Sequence, residues 1–116
     1  MHALSTRPKP TEESQPRTIE FGTDTFADVL DALGSDTARS ILRSVQTEPR
    51  TASEIADRVD TSIQNASYHL RTLTDVGLVR VVDTVYSEKG CEMNLYYAVD
   101  TALLLETAPA EEYTDR

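Results

Sequence analysis

Between Thr61 and Thr74 the sequence reads TSIQNASYHLRTLT, fourteen residues without an acid in a chain where Asp and Glu fill 20 of 116 positions. The stretch carries two amides (Gln64, Asn65), the hydroxyls of Thr61, Ser62, Ser67 and Thr72, the phenol of Tyr68 and the guanidinium of Arg71. These groups donate and accept hydrogen bonds, and they include no nucleophile paired with a base. Their chemistry is recognition rather than bond making. A Gln or Asn amide matches the donor and acceptor on an adenine edge, and a guanidinium matches guanine or a phosphate.

Such groups must project from one side of an element whose other side is anchored. If Ala66 marks the buried direction, steps of about 100° per residue bring Ile63, Leu70 and Leu73 close to it. Gln64, Tyr68, Arg71 and Thr72 then face the opposite way. Ser62 and Asn65 lie toward the N-terminal end, the part of such a helix that enters a major groove deepest. Tyr68 is placed either to meet a nucleic-acid backbone or thymine methyl, or simply to cover the domain. His69 falls on the flank of the buried stripe, where a packed, hydrogen-bonded imidazole is expected rather than a metal ligand or base reader.

The surrounding elements follow from periodicity and caps. Phe26, Val29, Leu30 and Leu33 predict a first helix capped by Asp24 or Thr25 and stopped at Gly34. A second helix starts at Ser35 or Asp36, buries Ala38, Ile41, Leu42 and Val45, and is expected to end at Pro49. Thr51-Ala-Ser-Glu54 has the form of a capping box opening a short third helix with Ile55, Ala56 and Val59. After a corner at Asp60, Thr61-Ser-Ile-Gln64 has the same form, and Gly77 closes the fourth helix.

From Leu78 the pattern changes to β-branched runs, LVRVVDTVY and MNLYYAV, on either side of SEKG, the signature of a hairpin. Ala102 to Leu105 is expected to form a helical stub. The predicted fold is mainly α with a small β-hairpin, a winged helix-turn-helix. Residues 1–18, with three prolines and few large apolar groups, are expected to be a disordered tail. Residues 19–106 form the domain, with a core of about 24 to 106, and 107–116 a frayed acidic tail.

The segment Ser67-x-His69-Leu70-x-x-Leu73-x-x-x-Gly77-Leu78-Val79 resembles the recognition-helix-to-wing region of arsenic-repressor-type (ArsR) winged-helix transcription regulators. Tyr86 to Tyr97, YSEKGCEMNLYY, resembles the wing of their haloarchaeal relatives. The resemblance covers about 34–99. It implies a homodimer that binds double-stranded DNA at a pseudo-palindromic operator, most simply as a repressor. It also implies dimerisation through the first helix and the C-terminal segment. Phe26, Val29, Leu30, Leu33, Leu103 and Leu104 are the apolar groups available for this, and they serve equally as intramolecular core.

At the hairpin tip, Lys89 and Gly90 are placed to meet a minor groove or phosphates, with Arg80 on the first strand, although Glu88 and Glu92 flank the tip. Arg39, Arg43, Arg50 and Arg58 are open to surface ion pairing or to phosphate contact. Members of the family commonly sense metals through cysteine pairs. TASEIADRVD has none, and Cys and His are not clustered, so no metal site is expected. Cys91, the single cysteine, is either a plain surface thiol or a redox-responsive group beside the wing.

No Gly-rich phosphate loop, HExxH or nucleophile elbow is present, and 116 residues cannot hold a dinucleotide-binding unit together with a substrate domain, so neither enzyme activity nor a cofactor is expected. No signal-peptide pattern or membrane-length apolar run appears, and a cytoplasmic location is expected. The net charge of minus 9 with nine Arg and two Lys resembles proteins of salt-loaded cytoplasms. At ordinary ionic strength it opposes DNA binding and leaves room for an alternative, a winged-helix module that docks on transcription machinery without reading DNA. The excess divides equally, minus 3 in each of residues 1–33, 34–100 and 101–116. In molar salt the screening length falls to about 3 Å, so only contact-range charges count.

Overall fold

The computed structural model describes residues 16–108; the tails expected over 1–18 and 107–116 lie almost wholly outside them. Helix α1 spans Asp24–Ala32 and is capped by Thr23, whose hydroxyl accepts from the Phe26 amide at 3.1 Å. The cap is one residue earlier than expected, which puts Asp24 in the first turn, where its charge meets the positive end of the helix dipole. Helix α2, Asp36–Ser44, is capped by Ser35. It ends well before Pro49, because the Val45 and Gln46 amides turn inward to the carbonyls of Leu42 and Arg43 and tighten the last turn.

Helix α3, Ala52–Val59, opens on the expected capping box: Glu54 N–H donates to Thr51 Oγ1 at 3.2 Å, and Thr51 N–H donates to Glu54 Oε1 at 2.9 Å. Thr51 is buried, and this reciprocal pairing satisfies it. At Asp60 the chain takes left-handed geometry (φ 60, ψ 54), and the Thr61 amide returns to Ala56 O at 3.0 Å. The corner delivers the chain into α4, Ile63–Asp75.

The second capping box is replaced by a simpler cap. Ser62, not Thr61, accepts from the Asn65 amide at 3.0 Å, and Thr61 Oγ1 accepts from Asn65 Nδ2 at 2.9 Å. The buried stripe of α4 is Ala66, Leu70 and Leu73, packed with Ile41, Val45, Ile55 and Ala56. Ile63 does not belong to it: the first helical residue stands ahead of the overlap with α3 and is 54% exposed.

Strands β2 (Val79–Tyr86) and β3 (Glu92–Ala98) form the antiparallel wing, with an irregularity between Val81 and Asp83. Two backbone bonds between Arg50 and Tyr96, at 3.0 and 2.8 Å, tie the loop before α3 to β3. A second sheet was not expected. Strand β1, Arg17–Glu20, pairs in parallel with β4, Thr101–Leu104. The Ala102–Leu104 stretch is therefore extended rather than helical, because the backbone groups of Ala102 and Leu104 are paired with β1. Arg17 and Thr18, assigned to a disordered tail, are part of that strand.

Candidate nucleic-acid interface

Two surfaces meet the criteria set by the sequence, the exposed side of α4 and the tip of the wing. On α4, Ser62, Gln64, Asn65, Tyr68 and Arg71 are exposed, while Thr61, Ser67 and Thr72 are half-buried. Tyr68 stands 61% exposed, edge-on to the half-buried His69 at 5.1 Å between ring centroids. The Thr72 hydroxyl donates back to Tyr68 O at 3.2 Å and has less to offer a ligand than its exposure suggests.

The two amides differ. Among the described residues Gln64 has no hydrogen-bond partner and keeps both its donor and its acceptor. Asn65 spends one Nδ2–H on Thr61, which restrains its rotamer, and keeps its second N–H and its carbonyl oxygen. That oxygen is an acceptor suited to an exocyclic amino group of adenine or cytosine. Ile63 adds an apolar contact at the helix start, of the kind that meets a thymine methyl. The sequence signal for it was its place at the first helical position, ahead of the core.

At the wing, Lys89 and Gly90 are exposed as expected, with Gly90 at φ 83, a conformation costly for a side-chain-bearing residue. Ser87, which sequence reasoning missed, organises the tip: its hydroxyl accepts from the Lys89 amide at 3.2 Å and the Cys91 amide at 3.1 Å. Cys91 is exposed and free.

The arginines separate by role. Arg50 is mostly buried, donating to Ser44 O at 2.6 Å and pairing with Glu48 at 3.4 Å, so it holds the loop before α3. Arg39 pairs with Asp36 and donates to Leu33 O at 2.6 Å. Arg43 and Arg58 are exposed with no ion pair among the described residues. Arg17, which the sequence placed in a disordered tail, donates to Gly77 O at 2.8 Å and Val76 O at 3.4 Å, satisfying carbonyls at the end of α4.

Of the apolar residues set aside for dimerisation, Phe26 and Val29 are buried in the monomer core. Leu33 is half-buried against that core, while Leu30, Leu103 and Leu104 are exposed. Among the described residues no group of three His, Cys, Asp or Glu side chains is placed to hold a metal, and no helix is long and apolar enough to cross a membrane.

Residues 33–82 match a family model described as a helix-turn-helix domain. No curated protein gives a significant match. Among solved structures, reduced HlyU from Vibrio cholerae superposes with a TM-score of 0.53 at 22% identity, over 66% of this chain and 75% of that one. An ArsR-like transcriptional regulator from Rhodococcus sp. RHA1 gives 0.51 at 29% identity over 65% of each chain. The homodimeric winged helix-turn-helix DNA-binding domain of a possible ArsR-family regulator from Mycobacterium bovis gives 0.52 at 24%, over 65% of this chain and 64% of that fragment. With α3, the Asp60 corner, α4 and the β2–β3 hairpin in that order, the chain is a winged helix-turn-helix whose helix-turn-helix domain occupies residues 33–82.

Proposed function

We propose that the chain is a transcription regulator of the ArsR type that binds double-stranded DNA as a homodimer. Two copies of α4 enter successive major grooves of a pseudo-palindromic site about 34 Å apart. Gln64, Asn65 and Ile63 read base edges, Arg71 takes guanine or a phosphate, and Ser62, Ser67, Tyr68 and Thr72 line the approach to the backbone. Lys89 and Gly90 follow the minor groove or phosphates from the wing. Repression is the simplest output, since a bound dimer blocks access to a promoter. The acid-rich, Lys-poor composition supports a haloarchaeal, high-salt setting, in which distant acids are screened.

The observation that carries the reading is the exposed side of the chain from Ser62 to Arg71: five hydrogen-bonding side chains, no carboxylate, and a buried side that anchors the helix in the core. The test is chromatin pull-down with sequencing, wild type beside Arg71→Ala. Sharp promoter peaks that vanish in the variant are expected. A partner protein recovered equally by both forms, with no peaks from either, would replace this reading with that of a protein-docking module.

A further inference from the structure

The β1–β4 sheet lies outside the helix-turn-helix and the wing, and it is incomplete by itself. Parallel strands are found with both faces covered, and two-stranded sheets are marginal alone. Here one face carries Arg17, Ile19, Thr101 and Leu103 toward the domain, while Thr18, Glu20, Ala102 and Leu104 are exposed on the other. The Arg17 and Phe21 amides donate to Asp100 and Leu104 carbonyls at 2.9 Å, so the ladder uses the even-numbered residues of β4. The backbone groups of Thr101, Leu103 and Leu105 point away from β1 and meet no backbone partner among the described residues.

Among the described residues nothing covers that edge. From Thr101 to Leu105 there is no charge and no proline, the usual devices against strand pairing. Phe21, Leu30, Leu103, Leu104 and Leu105 are each more than two-fifths exposed. Leu103 also lines a groove of about 640 Å³ whose walls include Val29, Leu33 and Leu42.

We infer that β4 pairs antiparallel with β4 of a second copy across a two-fold axis, giving a continuous sheet β1-β4-β4-β1, with Leu30, Leu103 and Leu105 packing over the groove of the partner. The inference rests on the dimeric reading above and specifies its interface. A second copy is the occupant that the edge itself selects, because a two-fold axis makes a strand edge its own complement. The paired segment Thr101–Leu105 holds no acid, and the Asp100 and Glu106 that bound it meet across the two ends of the seam, so this pairing is favoured at molar salt, where their repulsion is screened. The sheet is coupled to the recognition helix through Ile19, which shares the buried core with Leu70 and Leu73, and through Arg17. Arg17 extends from β1 to the Val76 and Gly77 carbonyls just after α4, and a Cβ at Gly77 would collide with its guanidinium. Joining the sheets thereby fixes the relation of the two recognition helices.

Sedimentation equilibrium of the full chain in molar KCl tests this with two variants. Leu103→Pro removes an amide that the β1 ladder does not use, and Leu105→Glu puts a charge on the edge beyond the strand. Cooperative thermal unfolding reports whether each still folds, and if Leu103→Pro does not, Leu105→Glu carries the test. The expected result is a wild-type species of twice the 12.9 kDa chain mass, with dissociation raised at least about 100-fold in the folded variants. Wild-type dimers unaffected by either substitution would overturn the sheet interface and leave the dimeric reading standing. A wild-type monomer throughout would overturn both.

Discussion

The recognition helix and the wing are adjacent in sequence and both project from the domain, yet their electrostatics differ. Along α4 the residues from Ile63 to Thr74 include no carboxylate, and one cation, Arg71, stands on a rigid, core-anchored element. The wing tip offers one cation, Lys89, next to Glu88 and close to Glu92, on a turn held by the Ser87 hydroxyl. A protein with an acidic excess can bind a polyanion when acids are withdrawn from the surface that makes close contact. The helix meets that condition and the wing meets it only in part. Recognition should therefore concentrate in α4, with the wing supplying modest, salt-sensitive positioning.

The largest expected effect is on folding, and it separates an anchored element from a peripheral one. Leu73 is fully buried among α2, α3 and α4, so Leu73→Ala should cost about 2–5 kcal/mol in urea unfolding. Val85, half-buried in the wing, should cost under about 1 kcal/mol on the same change. Equal costs would mean that the wing belongs to the core.

Next is DNA affinity, measured by fluorescence anisotropy on the operator and on an unrelated duplex. Arg71→Ala should weaken operator binding by about 1–3 kcal/mol, roughly 5- to 150-fold, and narrow the preference for the operator. Lys89→Ala should weaken both duplexes alike and reduce the salt slope by about 1. A reversal, with the greater loss of specificity in the Lys89 variant, would move recognition to the wing. The smallest effect is a gain: Glu88→Gln with Glu92→Gln should tighten binding several-fold at about 0.1 M salt and scarcely at all in molar KCl, where screening is nearly complete.

The helix-turn-helix was legible because its signals are local. The Thr51–Glu54 box, the left-handed corner at Asp60, Gly77 and the change from helical to alternating pattern after Leu78 each act within a few residues. Overlapping signals produced small errors. Thr61 and Ser62 are both good caps with a polar residue three positions on, and only the geometry of the corner selects Ser62. Ile63 has the spacing of the buried stripe but lies one turn too early to reach the core. The β1–β4 pairing was not legible, since a four-residue apolar run fits a helix or a strand equally and its partner lies across most of the chain in a proline-rich context. Arg17 was invisible for the same reason, its role depending on a parallel register that no local pattern encodes.

The most direct test of the central claim is an amide chemical-shift titration of the isotopically labelled protein with its operator duplex in high salt. The account predicts the largest perturbations from Ser62 to Arg71, smaller ones from Ser87 to Cys91, and little change at the Arg50–Tyr96 bridge. A saturable titration in which α4 amides stay unmoved while the shifts fall on other elements would contradict it.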